Sequence, residues 1–220
     1  MNTAPDGPYL LSEHVALLRD NGRREAKPAG VLMQEGSPSD HLLLIERGLV
    51  KITSAGRDGS SKLLAFRGVG DLVGDFGCID GAPRSASVVA LVPVIAWVVP
   101  ATRFQRLLHH HEVLSQAVLR LTVERVRESD RKLSALGEAS ASERVIRLLA
   151  DLAVSLVGDA GSTSTRVSVP VTHHELGTSA GVSRATVARA LRDLKLAGIA
   201  EQRRGSIQVT NLPGLTKAAG

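Results

Sequence analysis

Aromatic side chains are nearly missing from this sequence, which has three Phe, one Tyr and one Trp in 220 residues. Its cores must therefore be built from Leu, Val, Ile and Ala. The single cysteine, Cys78, excludes an internal disulfide and any Cys-rich zinc or iron–sulfur site. It reads as a small buried apolar residue. Long apolar runs are also lacking. The longest, Val88 to Ala101, is too short for a bilayer, is interrupted by Pro93 and Pro100, and reads as two buried strands bent at Pro93. The first ten residues hold no basic segment followed by an apolar one, so no secretory signal is expected. These absences predict a cytoplasmic protein with no membrane partner. Catalytic patterns are absent too: there is no nucleophile–base pairing, no metal-ligand spacing and no Walker loop. The chain reads as a non-enzyme without a metal site or covalent cofactor. His109-His110-His111 invites a metal, but consecutive helical residues point apart, so the run reads as a solvated helix start.

What is present is a basic C-terminal segment on a nearly neutral body. The length allows one large domain or two modest ones. Net charge is +5. From Thr172 onward there are seven basic residues (Arg184, Arg189, Arg192, Lys195, Arg203, Arg204, Lys217) against three acidic ones (Glu175, Asp193, Glu201), leaving about +1 on everything before. Charge segregated in this way suits a polyanion, and at this density duplex DNA rather than a membrane.

The texture changes along the chain. Met1 to Pro8 is a polar tail, and Leu11 to Arg19 reads as a short helix. From Gly30 to about Pro100, short apolar segments (Val31–Met33, His41–Ile45, Leu49–Thr53, Leu63–Phe66, Ser87–Val92) alternate with turn signals such as Arg47-Gly48 and Asp58-Gly59. This spacing predicts an antiparallel β sandwich, roll or barrel. From Thr102 the pattern is helical for some thirty-five residues. Leu119, Val123, Val126, Asp130 and Leu133 alternate at spacings of four and three, the seam of a helix that pairs with a second copy. The competing reading is a long helix packed on its own domain. Gly137 to Ser142 reads as a hinge, with Ser142 capping a helix from Glu143 to Leu156. A Gly/Ser/Thr loop follows at Gly158–Thr165.

The basic segment carries the most specific signal. Thr172 and Glu175 form a capping box for a short helix ending near Ala180-Gly181. Ser183 caps a second helix, Arg184 to Ala197, with Val187, Leu191 and Leu194 toward a core. Arg184, Ala185, Ala188, Arg189 and Arg192 lie on the other side. Arginines separated by small residues can approach base edges and donate two hydrogen bonds to guanine O6 and N7. Ser183 and Thr186 suit phosphate contacts at the helix N-terminus, and Thr172 and His173 join them from the first helix. A hairpin follows, Ile199–Arg203 and Ser206–Thr210, turning at Arg204-Gly205, so Arg203 and Arg204 form a basic wing. An ordinary amphipathic helix with a solvated basic face would not bring caps, turn and wing in this order.

Two stretches carry a family resemblance. Gly181-Val182-Ser183-Arg184-Ala185-Thr186-Val187-Ala188-Arg189 resembles the recognition helix of the cyclic-AMP receptor (CRP/FNR) family. Gly74-Asp75-Phe76-Gly77-Cys78-Ile79-Asp80-Gly81-Ala82-Pro83-Arg84-Ser85-Ala86-Ser87-Val88 is similar to its cyclic-nucleotide phosphate cassette. The resemblance spans nearly the whole chain and implies an α+β fold. An N-terminal antiparallel β-roll (1–108) would be followed by a long dimerisation helix (109–138) and a C-terminal winged helix-turn-helix (139–220). It also implies a homodimer, an inverted-repeat DNA site, contact with RNA polymerase and a cyclic nucleotide such as cAMP as effector. By that resemblance Gly74, Asp75, Arg84 and Ser85 line the effector site, a fixed guanidinium and backbone N–H groups holding the phosphate. Ser129 and Asp130 would face the base.

The sequence departs from the family in two places. Asp75 stands where the family has Glu, one methylene longer. Ala185 follows Arg184 where the family often has Glu, so the preferred site should differ at that base pair. Asp130 has three readings: it accepts from an adenine amino group, it repels its symmetry mate, or it points to solvent. Beside the effector-controlled regulator stand two alternatives. One is the same DNA-binding regulator with a vestigial or re-purposed pocket; the other is a nucleotide-sensing subunit acting through protein partners.

Overall fold

The computed structural model describes residues 10, 12–56, 61–133, 141–157 and 166–219. The N-terminal tail, the Asp58-Gly59 turn, most of the expected hinge and the 158–165 loop lie outside the described residues. The chain divides into two compact units, Met1–Arg127 and Glu128–Gly220.

In the first unit α1 (Ser12–Asp20) precedes β1 (Arg23–Lys27), β2 (Gly30–Met33), β3 (His41–Arg47), β4 (Val50–Ala55), β5 (Ser61–Arg67) and β6 (Leu72–Val73). Then come α2 (Asp75–Asp80), β7 (Ser87–Ala90), β8 (Val94–Pro100), α3 (Ala101–His110) and α4 (Glu112–Leu133), whose residues from Glu128 onward count with the second unit. The strands form two four-stranded sheets, ordered β1-β8-β3-β6 and β2-β7-β4-β5, with antiparallel pairing throughout. The apolar run of β3 shows why one strand organises the unit. Successive side chains on a strand face opposite ways. Leu43 and Ile45 meet Val50, Val88 and Ala96 in a core drawn from both sheets. Leu42 and Leu44 meet Leu18, Phe104, Leu114 and Leu121 under the helices. Both faces are covered, so the run has no polar alternation. The apolar stretch around Pro93 is indeed two strands, β7 and β8, and they belong to different sheets.

The expected thirty-five-residue helix is broken. Backbone at His111 is extended (φ −126°, ψ 90°), so His109 and His110 end α3 and α4 begins at Glu112. Ser115 Oγ lies 2.6 Å from the Leu108 carbonyl, supplying a donor where the helical ladder is interrupted. Helix α4 has two apolar stripes. Leu114, Ala117, Val118 and Leu121 are buried against the first unit's own core. Leu119, Val123 and Val126 are 63%, 41% and 55% exposed. The helix therefore packs on its own domain through one face while leaving most of the heptad seam uncovered. Asp130, further along that seam, is exposed.

The second unit holds α5 (Ala141–Val157), β9 (Val167–Val169), α6 (His173–Ala180), α7 (Arg184–Leu196), β10 (Ala200–Arg203), β11 (Ser206–Val209) and α8 (Leu212–Ala219). Helix α5 starts two residues before the expected Glu143, so Ser142 lies inside it rather than capping it. Val145, Leu149, Leu152 and Ala153 of α5 are buried, and α5 contacts α6, α7, α8 and β9. The three-stranded sheet is ordered β10-β11-β9.

Candidate effector cassette and DNA-reading surface

The cassette is assembled around Gly74, which caps α2 in the left-handed region at φ 78°. A Cβ there would sit 2.5 Å from Arg84 Nη1 and 2.7 Å from the Met33 sulfur, so only glycine fits. Arg84 is 5% exposed. Its Nη1 donates to the Gly74 carbonyl at 2.9 Å, while Nη2 donates to the His41 carbonyl and lies 3.4 Å from Asp40 Oδ1. His41 Nδ1, 2.6 Å from the same Asp40 oxygen, holds that carboxyl below its usual range, with Arg84 adding to the effect. The backbone of Arg84 is pinned as well, donating to the Ser37 carbonyl and accepting from Gly36 N–H. Ser85, next in sequence, is exposed.

Asp75 is 2% exposed. Its partner in the structure is Arg125 of α4. Arg125 Nη1 bridges both carboxylate oxygens, at 3.0 and 2.8 Å, and Nη2 donates to the Leu72 carbonyl. The guanidinium also lies 5.5 Å from the centre of the Phe76 ring, within cation–π range. A buried carboxylate needs such a counter-ion. Sequence reasoning missed Arg125, because an arginine on a helix reads as solvated. Its position, one turn before the Ser129-Asp130 pair on the same helix, was the available clue. Ser129 and Asp130 fall in the second unit and are exposed. Cys78 is fully buried, and desolvation pushes its thiol up to about 11, so it stays protonated and inert at neutral pH.

The DNA-reading unit follows its expected local chemistry. Thr172 Oγ1 accepts from Glu175 N–H at 3.2 Å while Glu175 Oε2 accepts from Thr172 N–H at 2.9 Å, a complete capping box. Gly181 ends α6 at φ 64°, a left-handed turn that glycine adopts without strain. Thr172→Ala should lower the stability of this unit by about 1 kcal/mol, read as a reduced urea midpoint with unchanged slope.

Ser183 caps α7, accepting from Thr186 N–H at 3.2 Å, with the two hydroxyls 3.0 Å apart. Val187, Ala190, Leu191 and Leu194 bury the inner face. Ala185, Arg189 and Arg192 occupy the outer one and are exposed. Arg184 is exposed too, but it flanks a groove shared with Thr172, His173, Gln202 and Arg203. Neither Arg184 nor Arg189 forms an ion pair among the described residues. The wing pairs Arg203 with Ser206 across its tip, and Arg204 lies exposed in the turn.

A β-roll carrying a buried Gly-Asp…Arg cassette, joined to a capped helix-turn-helix with a basic wing, matches two known domains. A cyclic nucleotide-binding domain covers residues 23–111, and a Crp-like helix-turn-helix domain covers residues 143–218. The chain belongs to the CRP/FNR family of transcription regulators. It is 28% identical over 185 residues to the CRP-like cAMP-activated global transcriptional regulator of Mycobacterium tuberculosis, covering 84% of this chain and 82% of that protein. Identity to the cyclic AMP receptor protein of Thermus thermophilus is 28% over 201 residues, covering 91% and 89%. The crystal structure of the Thermus thermophilus catabolite activator protein superposes with a TM-score of 0.51 at 27% identity, covering 96% and 95%. Members of the CRP/FNR family are transcription regulators rather than enzymes. Among the described residues, no helix is long and apolar enough to cross a membrane. No cluster of His, Cys, Asp and Glu among them could hold a metal.

Proposed function

We propose that this chain acts in the cytoplasm as a homodimeric, sequence-specific regulator whose DNA affinity responds to a small effector in the β-roll. The observation that carries the reading is the outer face of α7. Exposed Arg184 and Arg189 stand beside small residues on a helix held by a capped turn and flanked by a basic wing. Arg184, Ala185 and Arg189 would read base edges. Thr172, His173, Ser183, Thr186, Arg203 and Arg204 would meet the phosphates. The uncovered Leu119, Val123 and Val126 stripe supports pairing of two α4 helices. Two recognition helices would then enter successive major grooves of an inverted repeat, with half-sites about 10 bp apart. RNA polymerase is the proposed partner of the bound dimer.

The effector we propose is a cyclic nucleotide such as cAMP, as the names of the two curated relatives suggest for those proteins. Gly74, Asp75, Arg84 and Ser85 would contact it, joined by Ser129 and Asp130 from α4. Arg125 would join them through its contact with Asp75. The effector must favour the DNA-competent arrangement by its differential affinity for the two states. A second reading draws on the same geometry. Arg84 already donates to two carbonyls and neighbours Asp40, and Asp75 already has a cation, so the cassette is self-satisfied without a nucleotide. Genomic fragments bound in a gel shift should yield an inverted repeat protected over two half-sites. Calorimetry with cAMP and cGMP separates the two readings. Heat that Arg84→Ala abolishes supports the nucleotide, whereas no heat with either protein favours the re-purposed pocket.

A further inference from the structure

We infer that Glu201 sets how much of the DNA affinity is independent of sequence, by holding the wing's Arg203 as a neutral pair. The inference rests on the DNA-reading assignment above. Glu201 and Arg203 are two residues apart on β10, so their side chains share one face of the strand. Arg203 Nη2 lies 3.1 Å from Glu201 Oε2. Across the hairpin they face Gln208 and Ser206, so β11 brings no other charge to the pair. The face borders a groove between the wing and the C-terminal half of α7, where His173, Arg192 and Lys195 are the other titratable groups. Every charged or basic group lining that groove suits a phosphate strand except Glu201, the only carboxylate among its described lining residues.

A carboxylate there has two electrostatic consequences. It neutralises Arg203, so the wing offers Arg204 alone as an unpaired cation among the described residues. It also repels any phosphate that comes near. The side chains are 65% and 47% exposed. Such a pair contributes only about 0.2–1 kcal/mol, so a DNA strand can break it, and it acts as a graded opponent rather than a lock. Sequence-independent affinity scales with the number of phosphates neutralised. One cation withheld lowers that background while leaving base reading by α7 untouched, and discrimination rises accordingly.

The test uses the full chain and a labelled duplex of arbitrary sequence, about 30 bp long, titrated between roughly 50 and 300 mM KCl. Glu201→Gln should steepen the slope of log affinity against log salt by about one and tighten binding roughly 3- to 10-fold at the lowest salt. Arg203→Ala should weaken binding in the wild-type background, where it leaves the carboxylate uncompensated, and in the Glu201→Gln background it should return affinity and slope to about their wild-type values. Melting temperatures should match the wild type, because the pair is exposed. An unchanged slope overturns the inference, as does a gain that survives loss of Arg203, since the carboxylate would then act alone. If no version binds duplex at any salt, the DNA-reading assignment itself falls, and this inference with it.

Discussion

Arg125→Ala is expected to destabilise the first unit by about 3–5 kcal/mol. Urea denaturation followed at Trp97, the chain's single tryptophan, reports on this unit alone, because Trp97 lies in β8. The size follows from what the truncation leaves behind. Asp75 has a side chain 3% exposed and would lose the guanidinium that spans both its oxygens. The Leu72 carbonyl and the Phe76 ring would lose their cation as well. An exposed pair would cost a fraction of this, since water would replace the lost partner. Removing both charges together, as Asp75→Asn with Arg125→Met, should recover most of the loss, because the penalty comes from an uncompensated buried charge. A loss under about 1 kcal/mol for Arg125→Ala would mean that water reaches Asp75 and the pair behaves as a surface one.

The same contact matters for the proposed control. Arg125 comes from α4, the helix whose Leu119, Val123 and Val126 stripe is uncovered. An effector that engages Asp75 competes for the group anchoring α4 to the cassette. A small change in the pocket thus acts on the helix proposed to pair two subunits, and no long chain of intermediates is needed.

How legible this was in the sequence depended on whether a residue's structural reason is local. The capping box at Thr172 and Glu175, the left-handed Gly181 and the Ser183 cap are set by neighbours within three or four residues, and each was readable. The His41–Ile45 run was readable as a strand, and its unbroken hydrophobicity is explained by cores on both faces. Strand β1, Arg23–Lys27, was invisible for the opposite reason. Its sequence, RREAK, carries no apolar alternation because it is the edge of its sheet, bonded to β8 alone among the described strands. Charged edges of this kind resist pairing with other chains. Helix α2 is six residues between two glycines, too short for a helical period to emerge. Arg125 is separated from Asp75 by fifty residues, and apart from its place one turn before Ser129 and Asp130 nothing local marks it out. Its role arises only when the fold brings a buried carboxylate beneath it. The break at His111 likewise lacks a Pro or Gly signal.

Arg189→Ala should weaken binding to a selected DNA site by about 1–3 kcal/mol, roughly 5- to 150-fold, with the loss concentrated at one base pair. Arg189 stands on the outer face of α7 between Ala185 and Arg192, where small neighbours let the backbone come close to the groove floor. The substitution should spare the fold. Val187, Ala190, Leu191 and Leu194 hold the inner face, and alanine favours helix at least as well as arginine. Arg184→Ala should behave differently. Arg184 flanks the groove toward Gln202 and Arg203, where a guanidinium is placed to meet a phosphate as well as a base edge. Its loss should therefore cost affinity on every sequence and flatten the salt dependence by about one unit, in addition to its effect at its own base pair. Selection of bound duplexes from a random pool, repeated for each variant, separates the two contributions. If both variants returned the wild-type site with wild-type affinity, α7 would not be the reading helix.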